Sequence, residues 1–177
     1  MTGTGGTHQP QQPDPPEQPQ NAYGAARPDG STSRYERGVE LMRRVQGEAG
    51  AAAILDGFDA VSPDFGRYVV EAGFADVYGR PGLTLAQRQL LNVGVLTALG
   101  GAEPQLAVHI RGALNVGVTP EEILEAVFHV ALYAGHPRAG NALRVAREVF
   151  DEYGVPRPDA ARETHAHATD RTDDGGE

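Results

Sequence analysis

The sequence predicts an all-α domain, a compact bundle of about six helices. Three observations carry this. Apolar residues recur three and four apart through most of the central chain. Several of these runs begin with a hydroxyl side chain followed by Pro, Glu or Gln, as helix starts do. No segment sustains the period-two alternation of a half-buried strand, so no sheet is assigned.

Residues 1–32 are rich in Pro, Gln, Gly and Thr and offer almost no large apolar side chain. Such a segment buries too little surface to offset its ordering entropy and reads as a disordered arm. The helical domain is placed at 33–158. Its first helix starts at Ser33, which with Glu36 makes a capping pair. Val39, Met42 and Val45 then share one face. A short Ala-rich turn or helix covers Ala51 to Phe58. The second main helix opens at Pro63 after Ser62, with Phe65, Val69 and Ala72 at helical spacing. Tyr78-Gly79-Arg80-Pro81-Gly82 breaks it.

Thr84 and Gln87 cap a third helix that runs to about Leu99. Leu90, Leu91, Val93, Val95, Leu96 and Leu99 make it apolar nearly all round, which predicts a central position. Pro104 opens the fourth helix and Gly117 closes it. Thr119-Pro120-Glu121-Glu122 is a strong start for the fifth, which ends near Gly135. Pro137 opens the last helix, and Gly154 with Pro156 stops it. Residues 159–177 read as a second polar tail, in which His165 and His167 are solvated side chains rather than metal ligands.

Composition narrows the chemistry. The formal net charge of -9 argues against nucleic acid or an anionic membrane as partner. There is no apolar stretch long enough to span a bilayer and no basic-then-apolar leader, so a cytoplasmic location is expected by default. The chain has no Cys, which removes thiolate catalysis, CxxC redox chemistry and thiolate metal sites. All 15 Lys+Arg residues are Arg, so a Lys Schiff base and a P-loop are excluded. Only Ser31, Ser33 and Ser62 occur, none in GxSxG. Any catalysis must come from His, Asp, Glu, Arg, Tyr or a bound ligand.

On the fifth helix, Glu125, His129 and Tyr133 are four apart and share a ridge. A carboxylate one turn from an imidazole makes a general acid/base pair. The plainer alternative is an exposed ion pair on an amphipathic helix. His109 lies among apolar neighbours in the fourth helix, where a satisfied structural histidine competes with a catalytic one. Arg80, Arg88, Arg111 and Arg138 lie near helix ends, as forks for a carboxylate substrate or as partners of nearby acids. His136 sits in the tight connection between the last two helices. No HExxH-type spacing links His109, His129 and His136, so no metal site is assigned.

The stretch Phe74 to Leu83 followed by Arg88, the run from His109 to Ile123 followed by Glu125, and Tyr133-Ala134-Gly135-His136-Pro137 together resemble the carboxymuconolactone decarboxylase family. Arg34-Tyr35-Glu36-Arg37-Gly38 and Gly47-Glu48-Ala49 resemble its N-terminal part, so the likeness runs from about Arg34 to Tyr153. It implies an all-helical protomer that assembles into a homotrimer or homohexamer. The family has two branches. One is an alkylhydroperoxidase-like thiol system, whose thiol positions fall here on Ala102 and Gln105 and whose Glu position falls on Gln89, so that chemistry is closed. The other decarboxylates a carboxylated lactone and needs no cofactor in principle.

By this resemblance His109 is the proton donor or oxyanion partner, and Glu125 and Tyr133 orient it or relay protons. Arg80 and Arg88 anchor substrate carboxylates or the fold, and His129 and His136 join the substrate region. His129 stands where the family more usually has a neutral amide, His136 and Arg138 where it has small or apolar residues, and Tyr78 where Trp is common. The implied partner is a small anionic lactone such as 4-carboxymuconolactone, or a keto acid. Two alternatives stand beside it. One is recruitment for isomerisation, ring closure or decarboxylation of a polyketide-type metabolite, which a wide apolar pocket would favour. The other is a non-catalytic helical oligomer that binds a small acid or a protein, which a buried, fully satisfied His109 would favour.

Overall fold

A computed structural model describes residues 32–155. The two predicted tails, with His165 and His167, lie outside the described residues. Helix α1 spans Arg34–Asp59, α2 spans Pro63–Tyr68, and a π-helical segment, Val69–Tyr78, continues α2. Helices α3 (Leu85–Leu99), α4 (Glu103–Asn115), α5 (Pro120–Ala134) and α6 (His136–Glu152) complete the order. Among the described residues there is no β-strand.

Local chemistry explains the starts. Ser33 with Glu36, Thr84 with Gln87 and Thr119 with Glu122 each form a reciprocal capping box, satisfying two otherwise orphaned backbone donors. Two details differ from the expectation. The Ala-rich segment is helical as expected but begins earlier, following directly on a kink at Gly47 (φ 73°, ψ 167°), a conformation that glycine alone adopts cheaply, so that α1 is two helical stretches in sequence. The second helix ends at Tyr78, where the break was expected, but its last ten residues wind as π turns rather than α turns. A π turn rotates side chains relative to α geometry and so re-aims the residues beyond it.

Two apolar cores result. Met42, Val45, Ala51, Val70 and Phe74 form one, between α1 and the π segment. Val93, Leu106, Ile110, Ile123, Val127, Val145 and Val149 belong to the other, between α3, α4, α5 and α6. Val116 packs against both, marking the seam. Gly112 of α4 keeps that seam tight: a Cβ there would lie 3.0 Å from Val45 Cγ1 and Gln46 Nε2 and 3.2 Å from Gln89 Oε1. Helix α3 is central, packing on α4, α5 and α6. It is not buried all round, however. Leu91, Val95 and Leu99 are exposed, as are Phe128 and Leu132 of α5. No described helix is long and apolar enough to cross a membrane.

Candidate active site

At the seam of the two cores lies a polar cluster in otherwise apolar surroundings. Helix α3 supplies Arg88, Gln89 and Asn92, the π segment ends in Tyr78, and α4 brings His109. Gln89 is fully buried. Its Nε2 donates to the Tyr78 hydroxyl at 3.0 Å, and Asn92 Nδ2 donates to the same oxygen. His109 Nδ1 lies 2.9 Å from Gln89 Oε1 and 3.3 Å from Asn92 Nδ2.

These contacts assign the imidazole tautomer. The shorter contact decides: a nitrogen 2.9 Å from a carbonyl oxygen is attractive only if it carries the hydrogen, so Nδ1–H donates to Gln89, and the Asn92 amide nitrogen at 3.3 Å, itself a donor, makes no hydrogen bond to Nδ1. In the neutral ring Nε2 is then the lone-pair atom, and no bond within the described residues occupies it. Burial lowers the His109 pKa below the usual histidine value, so the free protein holds it neutral at pH 7. Burial also raises the Tyr78 pKa, against the bonds from Asn92 and Gln89 and the nearby Arg88 charge, all of which lower it.

Arg88 is the electrostatic anomaly. It is only 9% exposed. Its Nη2 donates to the Arg80 carbonyl at 2.9 Å, and its guanidinium carbon lies 5.9 Å from the centroid of the Tyr78 ring. Its Nε is buried without a hydrogen-bond partner. Arg34, Arg43, Arg67, Arg111 and Arg144 each meet a carboxylate. Among the described residues Arg88 meets none. A buried guanidinium without a counter-charge is costly, and an incoming carboxylate would relieve that cost.

Beside the cluster opens a cleft of about 580 Å³, bordered by Leu41, Arg44, Tyr78, Thr84, Asn115 and Val116. Tyr78 belongs to both cleft and cluster. Arg88 and His109 do not border this cleft, so Tyr78 is the link between it and the cation and imidazole behind it.

The other sequence-predicted residues lie elsewhere. Arg80 is exposed and takes part through its carbonyl, which holds Arg88. Glu125, His129 and Tyr133 share the outer face of α5, all exposed, with the His129 and Tyr133 rings 5.4 Å apart. Among the described residues no hydrogen bond or ring contact joins them to His109. His129 borders an apolar groove between α3 and α5, with Leu91, Val95 and Val130. His136 is exposed at the start of α6. Arg111 pairs with Glu152 at 2.8 Å, and Arg138 donates to the Ala98 carbonyl. Among the described residues no three His, Asp or Glu side chains converge as a metal site.

Sequence reasoning missed Asn92, noted Gln89 only as the position of the thiol branch's Glu, and noted Tyr78 only for its unusual identity. A signal was present. Two amides three apart on a largely apolar helix need hydrogen-bond partners once buried.

Residues 63–148 match the model described as the carboxymuconolactone decarboxylase family. Over 122 residues the chain is 36% identical to 4-carboxymuconolactone decarboxylase of Acinetobacter baylyi, covering 69% of this chain and 90% of that one. Over 118 residues it is 31% identical to nitrosuccinic acid decarboxylase of Metarhizium robertsii, covering 67% and 82%. A 15.0 kDa protein of Paracoccus denitrificans described as uncharacterized is 38% identical over 85 residues, covering 48% and 63%.

Proposed function

The chain belongs to the carboxymuconolactone decarboxylase family, and from that premise we propose that it is a carboxy-lyase acting on a small acid, with 4-carboxymuconolactone the first substrate to test. The observation that carries the reading is the buried Arg88 without a carboxylate partner, next to the cluster that orients His109. Its two named relatives are decarboxylases of different acids. What those acids share is a carboxylate and an electron-withdrawing group able to take the electron pair that CO2 leaves behind.

The proposed chemistry is simple. Arg88 binds a substrate carboxylate, and Arg80 flanks it. The bond to the departing carboxylate breaks, CO2 leaves, and the electron pair flows through the ring double bond into the lactone carbonyl. A proton must then reach carbon. His109 delivers it from Nε2, because Nδ1–H is held by Gln89. Neutral His109 first takes that proton from solvent, and an anionic substrate beside it favours the charged imidazolium. No step in this sequence calls for a cofactor.

Assembly is part of the proposal. The exposed apolar side chains of α3 and α5 suit a homotrimer or homohexamer, in which a neighbouring copy covers Leu91, Val95, Phe128 and Leu132. Glu125, Tyr133, His129 and His136 contribute to catalysis or binding only where such a neighbour brings this face to a site. The first test is CO2 release from 4-carboxymuconolactone by the purified protein without added cofactor. The expected result is turnover that falls about 10²- to 10⁴-fold in His109→Ala. Full turnover in that variant would remove His109 from the mechanism, and no turnover by the wild type would remove this substrate.

A further inference from the structure

A phenol has one hydrogen to give and two lone pairs to receive. At Tyr78 both lone pairs are engaged, by Gln89 Nε2 and Asn92 Nδ2. Its hydroxyl is therefore a donor only, and among the described residues nothing accepts its hydrogen. The two ends of the Gln89 amide serve different partners: Oε1 accepts from His109 Nδ1–H and Nε2 donates to Tyr78. The bonds all run one way, from imidazole through amide to phenol, and bonds in series polarise one another. Tyr78 is half-buried, borders the cleft, and lies under the Arg88 guanidinium.

A donor without an acceptor, on a residue that borders the cleft and beside a cation that meets no carboxylate, suits an oxygen that gains negative charge. We infer that Tyr78 is a further catalytic residue, whose O–H hydrogen-bonds the substrate oxygen that becomes anionic as CO2 leaves, with Gln89 and Asn92 as positioning residues. The inference rests on the decarboxylase reading and adds a donor that the reading lacks. The electron balance is unchanged. The carbon–carboxylate bond breaks, its pair moves to the substrate's electron-withdrawing group, and Tyr78 stabilises that oxygen while keeping its own proton. His109 supplies the proton to carbon and regains one from water.

The test is Tyr78→Phe, which keeps the ring and its contact with Arg88 and removes only the hydroxyl. Expected is a fall in kcat of about 10²- to 10³-fold with KM nearly unchanged, as for loss of an oxyanion donor. Should that variant fold poorly, mono- and difluorotyrosine at position 78 keep the packing while making the phenol a stronger donor. Below every phenol pKa, kcat then rises with phenol acidity. Full kcat in a folded Tyr78→Phe, or a kcat indifferent to fluorination, overturns the inference while leaving the decarboxylase reading in place. A wild type inert towards 4-carboxymuconolactone and towards nitrosuccinic acid overturns both.

Discussion

The cluster at the α3–α4 seam and the ridge on α5 are built from similar residue types and differ in almost every physical respect. At the seam, Tyr78, Gln89, Asn92 and His109 are cross-bonded and largely withdrawn from water. On α5, Glu125, His129 and Tyr133 stand in solvent, and Tyr133 is 81% exposed. Burial shifts the His109 pKa, and hydrogen bonds from neighbouring elements select its tautomer. On the exposed ridge water screens the charges and satisfies the polar atoms. Periodicity along one helix is thus weaker evidence for a site than convergence from three elements.

The largest effect that separates the regions lies within α5 itself. Ile123 is fully buried on its inner face, and Ile123→Ala is expected to cost about 2–5 kcal/mol of unfolding free energy in urea titrations. Leu132, 76% exposed on the outer face, should behave differently. Leu132→Glu is expected to leave the protomer folded while shifting sedimentation towards the monomer. Loss of folding in Leu132→Glu, with no change of mass, would argue that this face is not an interface between copies.

A smaller effect is expected at the seam. Arg88→Met should lower kcat/KM about 10- to 100-fold, the value of a charge-assisted contact to a carboxylate. Unlike a core substitution, it should not lower stability appreciably, because it removes a buried charge that no carboxylate offsets. A strong loss of stability with unchanged kcat/KM would make Arg88 a structural residue.

The smallest effect is one of pH. The folded His109 pKa is depressed below 6.5 by burial, so below that pH the unfolded chain takes up the proton more readily than the folded one. The stability contributed by burying neutral His109 is complete above pH 6.5 and is lost as pH falls through the folded value. His109→Gln should abolish this part of the pH dependence of the melting temperature. An unaltered profile in that variant would assign the acid sensitivity to other groups.

Much of the fold was readable from local rules. Ser33, Thr84 and Thr119 announce three helix starts through side-chain chemistry that acts over three residues. Gly47 and the π turns were not readable in that way. The bend comes from one backbone angle, and the π turns depend on how Val70 and Phe74 meet α1. At the site, His109 and Arg88 were legible as residues, whereas Gln89 and Asn92 looked like ordinary amides until two further elements closed on them.

By itself the sequence determined the helical class, the capped starts, the absence of thiol and lysine chemistry, and the family likeness. Each of these depends on residue identity or on neighbours within a turn. The tertiary structure alone decided that Arg88 is buried without a carboxylate, that His109 holds its hydrogen on Nδ1, and that the α5 ridge faces outward. Those properties depend on which atoms from distant segments lie within about 3 Å of one another, a distance at which hydrogen bonds act and sequence spacing carries no information.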